Sequence, residues 1–377
     1  MINGHPMTEV IFDSNNYFGQ DFGLEMDLVE RIEIIRGPSS ALYGSNGILA
    51  NINVITKAPV DSAKFAVSTE VDSIGPQKLT LMSSVDLGKG ANLLVEGSGF
   101  MGSGHDMSIP GYDTSDQNYG VAQHLDGQSG YHSYVDLAWG SWNFSGYFNT
   151  RLAQAAVLGD GATFNGPGQF YRDTRDFIGA TYIHDYSNSS QLRWQIYYDH
   201  YGYADRYDQP PSPTAITDLD EDSADWVSSE VIYSHPLSFG ELTMGLSANV
   251  EIRNLQENVA YSPVREIRLD FNRPDASIAP FLQQEWALAA RWKAYFGVRL
   301  DESRQFGAFF HPASDWSISP RPGHLTSLSM AGRFATQATL RSTTPMGTHK
   351  SPILDCCRKR PTLSSLLSST VLESLRI

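Results

Sequence analysis

The densest patch of side chains able to bind something is Tyr197 to Pro211, YYDHYGYADRYDQPP, which places five tyrosines around His200, Asp205 and Arg206. Ring faces beside hydroxyls, an imidazole and a guanidinium stack on and hydrogen-bond to large polar ligands such as siderophores, corrinoids or glycans. Tyr198, His200, Tyr201, Tyr203 and Arg206 are therefore the candidate ligand contacts. The alternative reading is an aromatic girdle at a membrane surface, running into its loop. A second patch, Asp113 to Gly127 (DTSDQNYGVAQHLDG), has enough oxygen donors for calcium but not the spacing of a known calcium loop. A third, Glu30, Arg31, Glu33 and Arg36, alternates charge along a short segment, suited either to ion pairs across an interface or to a solvated face. No Ser-His-Asp set, phosphate-cradling glycine loop or clustered metal-binding histidines emerge, and the ten histidines are scattered, so an enzyme and a resident cofactor are not expected.

The elements carrying these patches read as strands. Hydrophobic residues make up 41% of the 377, and no apolar run is long enough for a spanning helix, so a membrane could be crossed only by strands. Gly 32, Tyr 18, Phe 18 and Trp 7 suit long strands with tight turns. From Arg291 to Leu300, Trp292, Ala294, Phe296, Val298 and Leu300 alternate with Arg291, Lys293, Tyr295 and Arg299. Leu242 to Val250 and Leu192 to Tyr198 repeat the pattern, and weaker matches bring the total to about eleven strands between residues 64 and 301. DLGKGAN (86–92) and WGSW (139–142) read as short turns, whereas 101–130, 151–175, 199–225 and 251–276 read as long polar loops. Short turns on one rim and long loops on the other describe an outer-membrane barrel. A soluble β-sandwich alternates equally well and is the competing fold.

The formal charge of −15 argues against nucleic acid as a partner, because phosphate binding needs a basic face. The only cysteines, Cys356 and Cys357, are adjacent and form neither a disulfide framework nor a metal spacing. No secretory signal pattern opens the sequence. Composition shifts between about Ala313 and Met330: residues 317–377 hold one aromatic, Phe334, and 19 Ser or Thr among 61, with a net charge of +6. This segment, 313–377, is expected to be a frameshifted sequence or a disordered basic tail.

Val29 to Lys57, VERIEIIRGPSSALYGSNGILANINVITK, reads as strand, Gly-Pro stop at Gly37 and Pro38, brief helical turn ending at Tyr43, glycine loop from Gly44, and second strand. This segment resembles the second half of the plug domain of TonB-dependent outer-membrane receptors, whose consensus runs close to VERIEVIRGP, ALYG and INIITK. MINGHPMTEV resembles the preceding plug strand, with Asn3-Gly4 standing for its terminal DG, while FGVRLD (296–301) and Phe281 to Trp286 resemble barrel motifs. Leu49 and Ala50 replace the paired glycines usual before the second plug strand, and the first half of the plug and the TonB box are not found in the sequence.

The resemblance implies a mostly β fold, a partial transmembrane antiparallel β-barrel (61–312) preceded by the C-terminal half of an α/β plug (1–60). With 22 strands in such barrels, eleven make half a wall, and this chain alone is not expected to transport. The resemblance further implies an outer membrane of a Gram-negative bacterium, an iron-siderophore or cobalamin-like ligand, outer-membrane lipid around the wall, and energy from the TonB complex. It also assigns Glu30, Arg31, Glu33, Arg36, Gly37, Pro38, Tyr43 and Gly44 to the plug motif facing the barrel. The alternatives are a passive porin or adhesin barrel, which needs no plug motif, and a soluble glycan-binding sandwich.

Overall fold

The computed structural model describes residues 1–12, 22–36, 50–62, 64–72, 75–156, 162–166, 168–209, 216–261, 264–289, 292–321, 324–331 and 370–371. It separates into two compact units, Met1–Ile34 with Ile52–Ile232 and Ser247–Ala276, and Ile35–Asn51 with Tyr233–Leu246 and Ser277–Ile377.

The first unit contains most of the plug segment and most of the wall. Two strands, β1 (Val29–Arg36) and β2 (Ala50–Thr56), form a small sheet of their own. The opening residues join it through a parallel bridge between Ile2 and Val54. The wall then runs β3 (Phe65–Glu70), β4 (Gln77–Gly88), β5 (Ala91–Gly102), β8 (Gln128–Trp139), β9 (Trp142–Gln154), β10 (Phe170–Asp185) and β11 (Gln191–Gln209), each neighbour hydrogen-bonded to the next. It continues into the parts of β12 (Ile216–Leu237) and β13 (Gly240–Ala260) that belong to this unit. β6 (His105–Ser108) and β7 (Val121–Leu125) form a separate hairpin inside the long β5–β8 connection, and β14 (Glu266–Asn272) pairs with the end of β13. In the second unit, β15 (Ala276–Ala289), β16 (Trp292–Ser303), β17 (Gly307–Arg321) and β18 (His324–Ala331) continue in antiparallel order from Tyr233–Leu246.

The eleven wall strands expected between 64 and 301 are present as β3, β4, β5, β8 to β13, β15 and β16. The polar stretches 199–225 and 251–276 differ from the expectation, because β11, β12 and β13 continue through most of them. A spanning strand needs only about 9–11 residues, so 19, 22 and 21 residues carry these strands well past the hydrocarbon. There both faces are wet, and the ladder persists after the hydrophobic alternation has faded. The compositional change expected between 313 and 330 falls within β17 and β18, which keep antiparallel pairing through Ala331.

Side-chain direction inverts the arrangement of a soluble sandwich. Leu79, Leu81, Val95, Phe148, Ile178 and Ile196 point outward and are exposed in the first unit, as are Met244, Leu246, Trp292, Phe296 and Leu300 in the second. The opposite register of the first unit's strands buries Thr80, Glu96, Ser98, His132, Asp136, Asn149, Arg175, Gln195 and Asp199. Apolar residues outside and polar residues within describe a wall facing lipid.

Candidate functional site

The plug segment is held against the inner face of the wall by three sets of contacts, all within the first unit. The first begins at the Asn3-Gly4 turn, where Ile2 and His5 exchange backbone hydrogen bonds of 3.0 and 2.8 Å. Gly4 has φ +85°, and a Cβ there would lie 2.6 Å from the Arg193 guanidinium, which donates to the Asn3 carbonyl at 2.8 Å. The positive φ favours glycine, and a side chain there would also push the Arg193 guanidinium off the Asn3 carbonyl. Asn3 Nδ2 donates to Thr56 Oγ1 (2.9 Å) and to the Tyr134 hydroxyl (3.1 Å), linking the opening turn, β2 and the wall.

The turn delivers His5 into the wall. Its Nε2 donates to Asp199 Oδ1 at 2.9 Å, and Arg175 donates to the same oxygen at 2.6 Å, with all three side chains no more than 2% exposed. The imidazole stacks on Tyr197 at 3.8 Å and meets the edge of Phe177. Arg175 lies 4.8 Å over the Trp226 ring. A charge this deep persists only when paired and hydrogen-bonded. Burial pushes the His5 imidazole below its ordinary value, outweighing the opposite pull of Asp199. Ile2, Met7, Leu24, Leu28 and Val54 of the plug complete this seat against Leu94, Tyr134, Tyr147, Phe177 and Tyr197 of the wall.

A second anchor is Glu25, which accepts a hydrogen bond from the Lys78 ammonium at 3.1 Å and lies 2.5 Å from His132 Nε2. Burial alone raises the Glu25 carboxyl, but the bonds to His132 and Lys78 prevail and bring it down to about 2. Nearby, the Tyr147 hydroxyl donates to the Phe22 carbonyl.

The third set forms the plug apex. The Glu9 carboxylate accepts from the Ile11 and Phe12 amides at 2.6 and 3.0 Å, curling the chain so that Val10 and Ile11 pack on Tyr201, Ala224 and Trp226, with Tyr203 alongside. Tyr201 donates to Asp173 and Tyr203 donates to Asp205 at 2.7 Å.

The five candidate ligand contacts are divided by the pleat of β11. Tyr201 and Tyr203 share the inward face with Asp199 and Asp205 and meet the plug apex. Tyr198 and His200 face the other way, where both bond Asp225 Oδ1 at 2.8 Å, and Arg206 is exposed on that same face. In the plug motif, Arg31 pairs with its neighbours Glu30 (3.0 Å) and Glu33 (2.8 Å) on an exposed face. The hydrogen bonds and ion pairs of these three among the described residues are with one another and with Asn53, and the described seat is made by other residues. The Arg36 side chain and Gly37, Pro38, Tyr43 and Gly44 lie outside the described residues. Of the calcium-candidate segment, 115–120 forms a short 3-10 turn and Val121–Leu125 forms β7.

Sequence reasoning did not single out His5, Glu25, Glu96, His132 or Arg175. For Glu96, His132 and Arg175 the available signal was a charged or imidazole side chain in the middle of a strand, in the register opposite the lipid-facing residues, whereas His5 and Glu25 lie outside the wall strands and carry no such signal.

Comparison with known proteins agrees with this architecture. Residues 1–50 match the family described as TonB-dependent Receptor Plug Domain, and residues 111–325 match the family described as TonB dependent receptor-like, beta-barrel. The chain is 26% identical over 316 residues to the iron-regulated outer membrane virulence protein of Vibrio cholerae, covering 78% of this chain and 43% of that protein. It is 31% identical over 96 residues to the vitamin B12 transporter BtuB of Vibrio cholerae, covering 25% and 16%. Among solved structures, the pyoverdine outer membrane receptor FpvA from Pseudomonas aeruginosa PAO1 superposes with a TM-score of 0.60 at 12% identity, over 81% of this chain and 51% of that one. The siderophore receptor PirA from Pseudomonas aeruginosa gives 0.56 at 18% identity, over 90% and 54%. The chain spans less than half the length of these curated relatives. With the barrel family matched over more than half of its residues and the plug family over its first fifty, the chain belongs to the TonB-dependent receptor family.

Proposed function

We propose that this chain is a part, not able to transport by itself, of a receptor that acts in the outer membrane of a Gram-negative bacterium in the active uptake of a scarce ligand, an iron-siderophore first and a cobalamin-like compound second, with the TonB complex as its energy-coupling partner. The observation that carries this reading is the buried junction of His5 with Asp199 and Arg175, by which a plug segment occupies the polar inner face of the wall. A passive pore has no need of a plug whose polar contacts are dehydrated, and a soluble glycan-binding sandwich would not turn its apolar side chains outward. The iron-regulated relative aligns over most of this chain, whereas the vitamin B12 transporter aligns over a quarter of it, which favours the iron chelate.

Within the site, the half-buried Tyr203 is the side chain proposed to meet the ligand, by stacking and hydrogen bonding, and Tyr201 and Trp226, buried beneath Val10 and Ile11, join it when that segment moves. Tyr198, His200 and Arg206 then belong to the outward aromatic and polar rim.

Tryptophan-fluorescence titration of the chain in detergent micelles tests the proposal with catecholate and hydroxamate ferric siderophores and cyanocobalamin. Saturable quenching by one ferric siderophore is expected, weakened about tenfold, or about 1.4 kcal/mol, by Tyr203→Ala. Saturation by cyanocobalamin alone selects the second ligand class, and saturation by none of them refutes the ligand reading.

A further inference from the structure

Around the second anchor, the plug segment and two inward strands bring together a ligand set of which plug seating leaves one carboxylate unused. Glu96 on β5 is 1% exposed, and neither of its carboxylate oxygens makes a hydrogen bond. His132 on β8 is 2% exposed, its Nδ1 also lacks a partner, and its Nε2 is 2.5 Å from Glu25 Oε1. One donor atom from each of Glu25, Glu96 and His132 lies within 4.8 Å of the others. The nearby ammonium, Lys78 on β4, is committed to Glu25 at 3.1 Å and Glu70 at 3.3 Å.

A buried carboxylate with no donor is costly unless it holds a proton or meets a cation. Two carboxylates and an imidazole nitrogen form a donor set for a first-row divalent cation, and three protein ligands leave one position for water. Tetrahedral zinc, with bonds of about 2.0–2.2 Å, holds its ligand atoms roughly 3.3 Å apart. Glu25 Oε1 and His132 Nε2 stand closer than that, at 2.5 Å, and the whole set lies within 4.8 Å, so these side chains move apart or together as the ion binds. A small pocket beside Glu25 and Glu96, lined also by Asp27, Ser68, Thr80 and Met82, gives the fourth position its opening. His132 Nδ1 has no hydrogen-bond partner, so a proton carried there would leave the Nε2 lone pair for an ion in place of the present Glu25 contact.

We propose that Glu25, Glu96 and His132 form a divalent-cation site that clips the plug segment to the wall. The site is independent of which ligand the receptor takes up. Two carboxylates neutralise the dication, and one ligand comes from the plug while two come from the wall, so binding the ion fastens one to the other.

The test uses the full 377-residue chain without a histidine tag, in detergent micelles and stripped with chelator. Zinc sulfate alone is titrated calorimetrically, and metal content is measured after gel filtration. One zinc per chain is expected, with affinity reduced at least about tenfold in Glu96→Gln and in His132→Gln and stoichiometry preserved in Lys78→Met. Absence of stoichiometric zinc, or binding undiminished by Glu96→Gln, overturns the proposal and leaves Glu96 as a buried acid holding its own proton. If the variants do not fold, X-ray absorption of the cobalt-loaded wild-type chain decides. A shell of one imidazole nitrogen with oxygens supports the site, and a shell with several imidazoles or with none refutes it.

Discussion

Asp199 sits where water does not reach, and its charge is tolerated because His5 and Arg175 both donate to one of its oxygens. Removing one partner of such a group costs about 3–5 kcal/mol, since the remaining charge is left buried and unpaired. Asp199→Asn is therefore expected to lower the thermal midpoint of the chain in detergent and to open residues 1–12 to protease, whereas an unchanged midpoint would show that the junction contributes little. The same junction responds to pH in a definite direction. Burial holds the His5 imidazole below its ordinary value, with the Arg175 charge acting in the same sense and Asp199 opposing. A group whose folded value is depressed adds stability that is complete above its unfolded value, about 6.5 for histidine, and is lost as pH falls through the folded one. Protease protection of the plug segment should thus decline between pH 7 and pH 5, and His5→Gln should flatten that decline. A profile that is the same with and without His5 would assign the effect to other groups.

At the scale of the strand, packing between β10 and β11 depends on what one residue lacks. Gly179 lies opposite Tyr197 in the antiparallel register, and a Cβ at Gly179 would fall 2.1 Å from the Tyr197 ring. The ring therefore lies across the glycine and offers its other face to His5. Gly179→Val is expected to displace Tyr197 and destabilise the plug seat by about 1–3 kcal/mol, the range for overpacking. Hydrogen exchange at residues 2–7 would report it, and unchanged protection there would separate the ring's position from the seat. The strands themselves were legible because outward Leu, Ile, Val and Phe alternate with polar residues over the lipid-facing stretch, which located all eleven between 64 and 301. Their extensions past the membrane were not legible, because with both faces wet nothing imposes alternation on β11 to β13. The plug seat was not legible either. His5 meets Asp199 across 194 positions of sequence, and only the fold defines that pairing. The tyrosine-rich stretch was visible as a patch, but which of its members face inward follows from the phase of β11, and that phase divides Tyr201 and Tyr203 from Tyr198 and His200.

On the scale of the whole molecule, each unit carries exposed apolar side chains on the outward register of its strands, a distribution that water penalises and a bilayer rewards. Val95 on β5 is exposed on the outward register, lies four residues beyond the short turn before Ala91 and pairs across the strands with Val135, near the middle of a 9–11-residue span. A charge at that depth on the lipid face costs about 2–4 kcal/mol, falling toward zero at the interfaces. Val95→Arg is therefore expected to reduce folding of the chain into phosphatidylcholine vesicles by roughly 30-fold or more. Arginine in place of Trp139, at the turn end of β8, should cost far less. Protease-protected mass after vesicle flotation measures both. The depth dependence is what distinguishes a membrane wall from a soluble sandwich, in which a charge on a wet face has little effect wherever it is placed. Equal tolerance of the two substitutions would show that the outward face is not in lipid, and would remove the physical basis for placing this chain in a membrane.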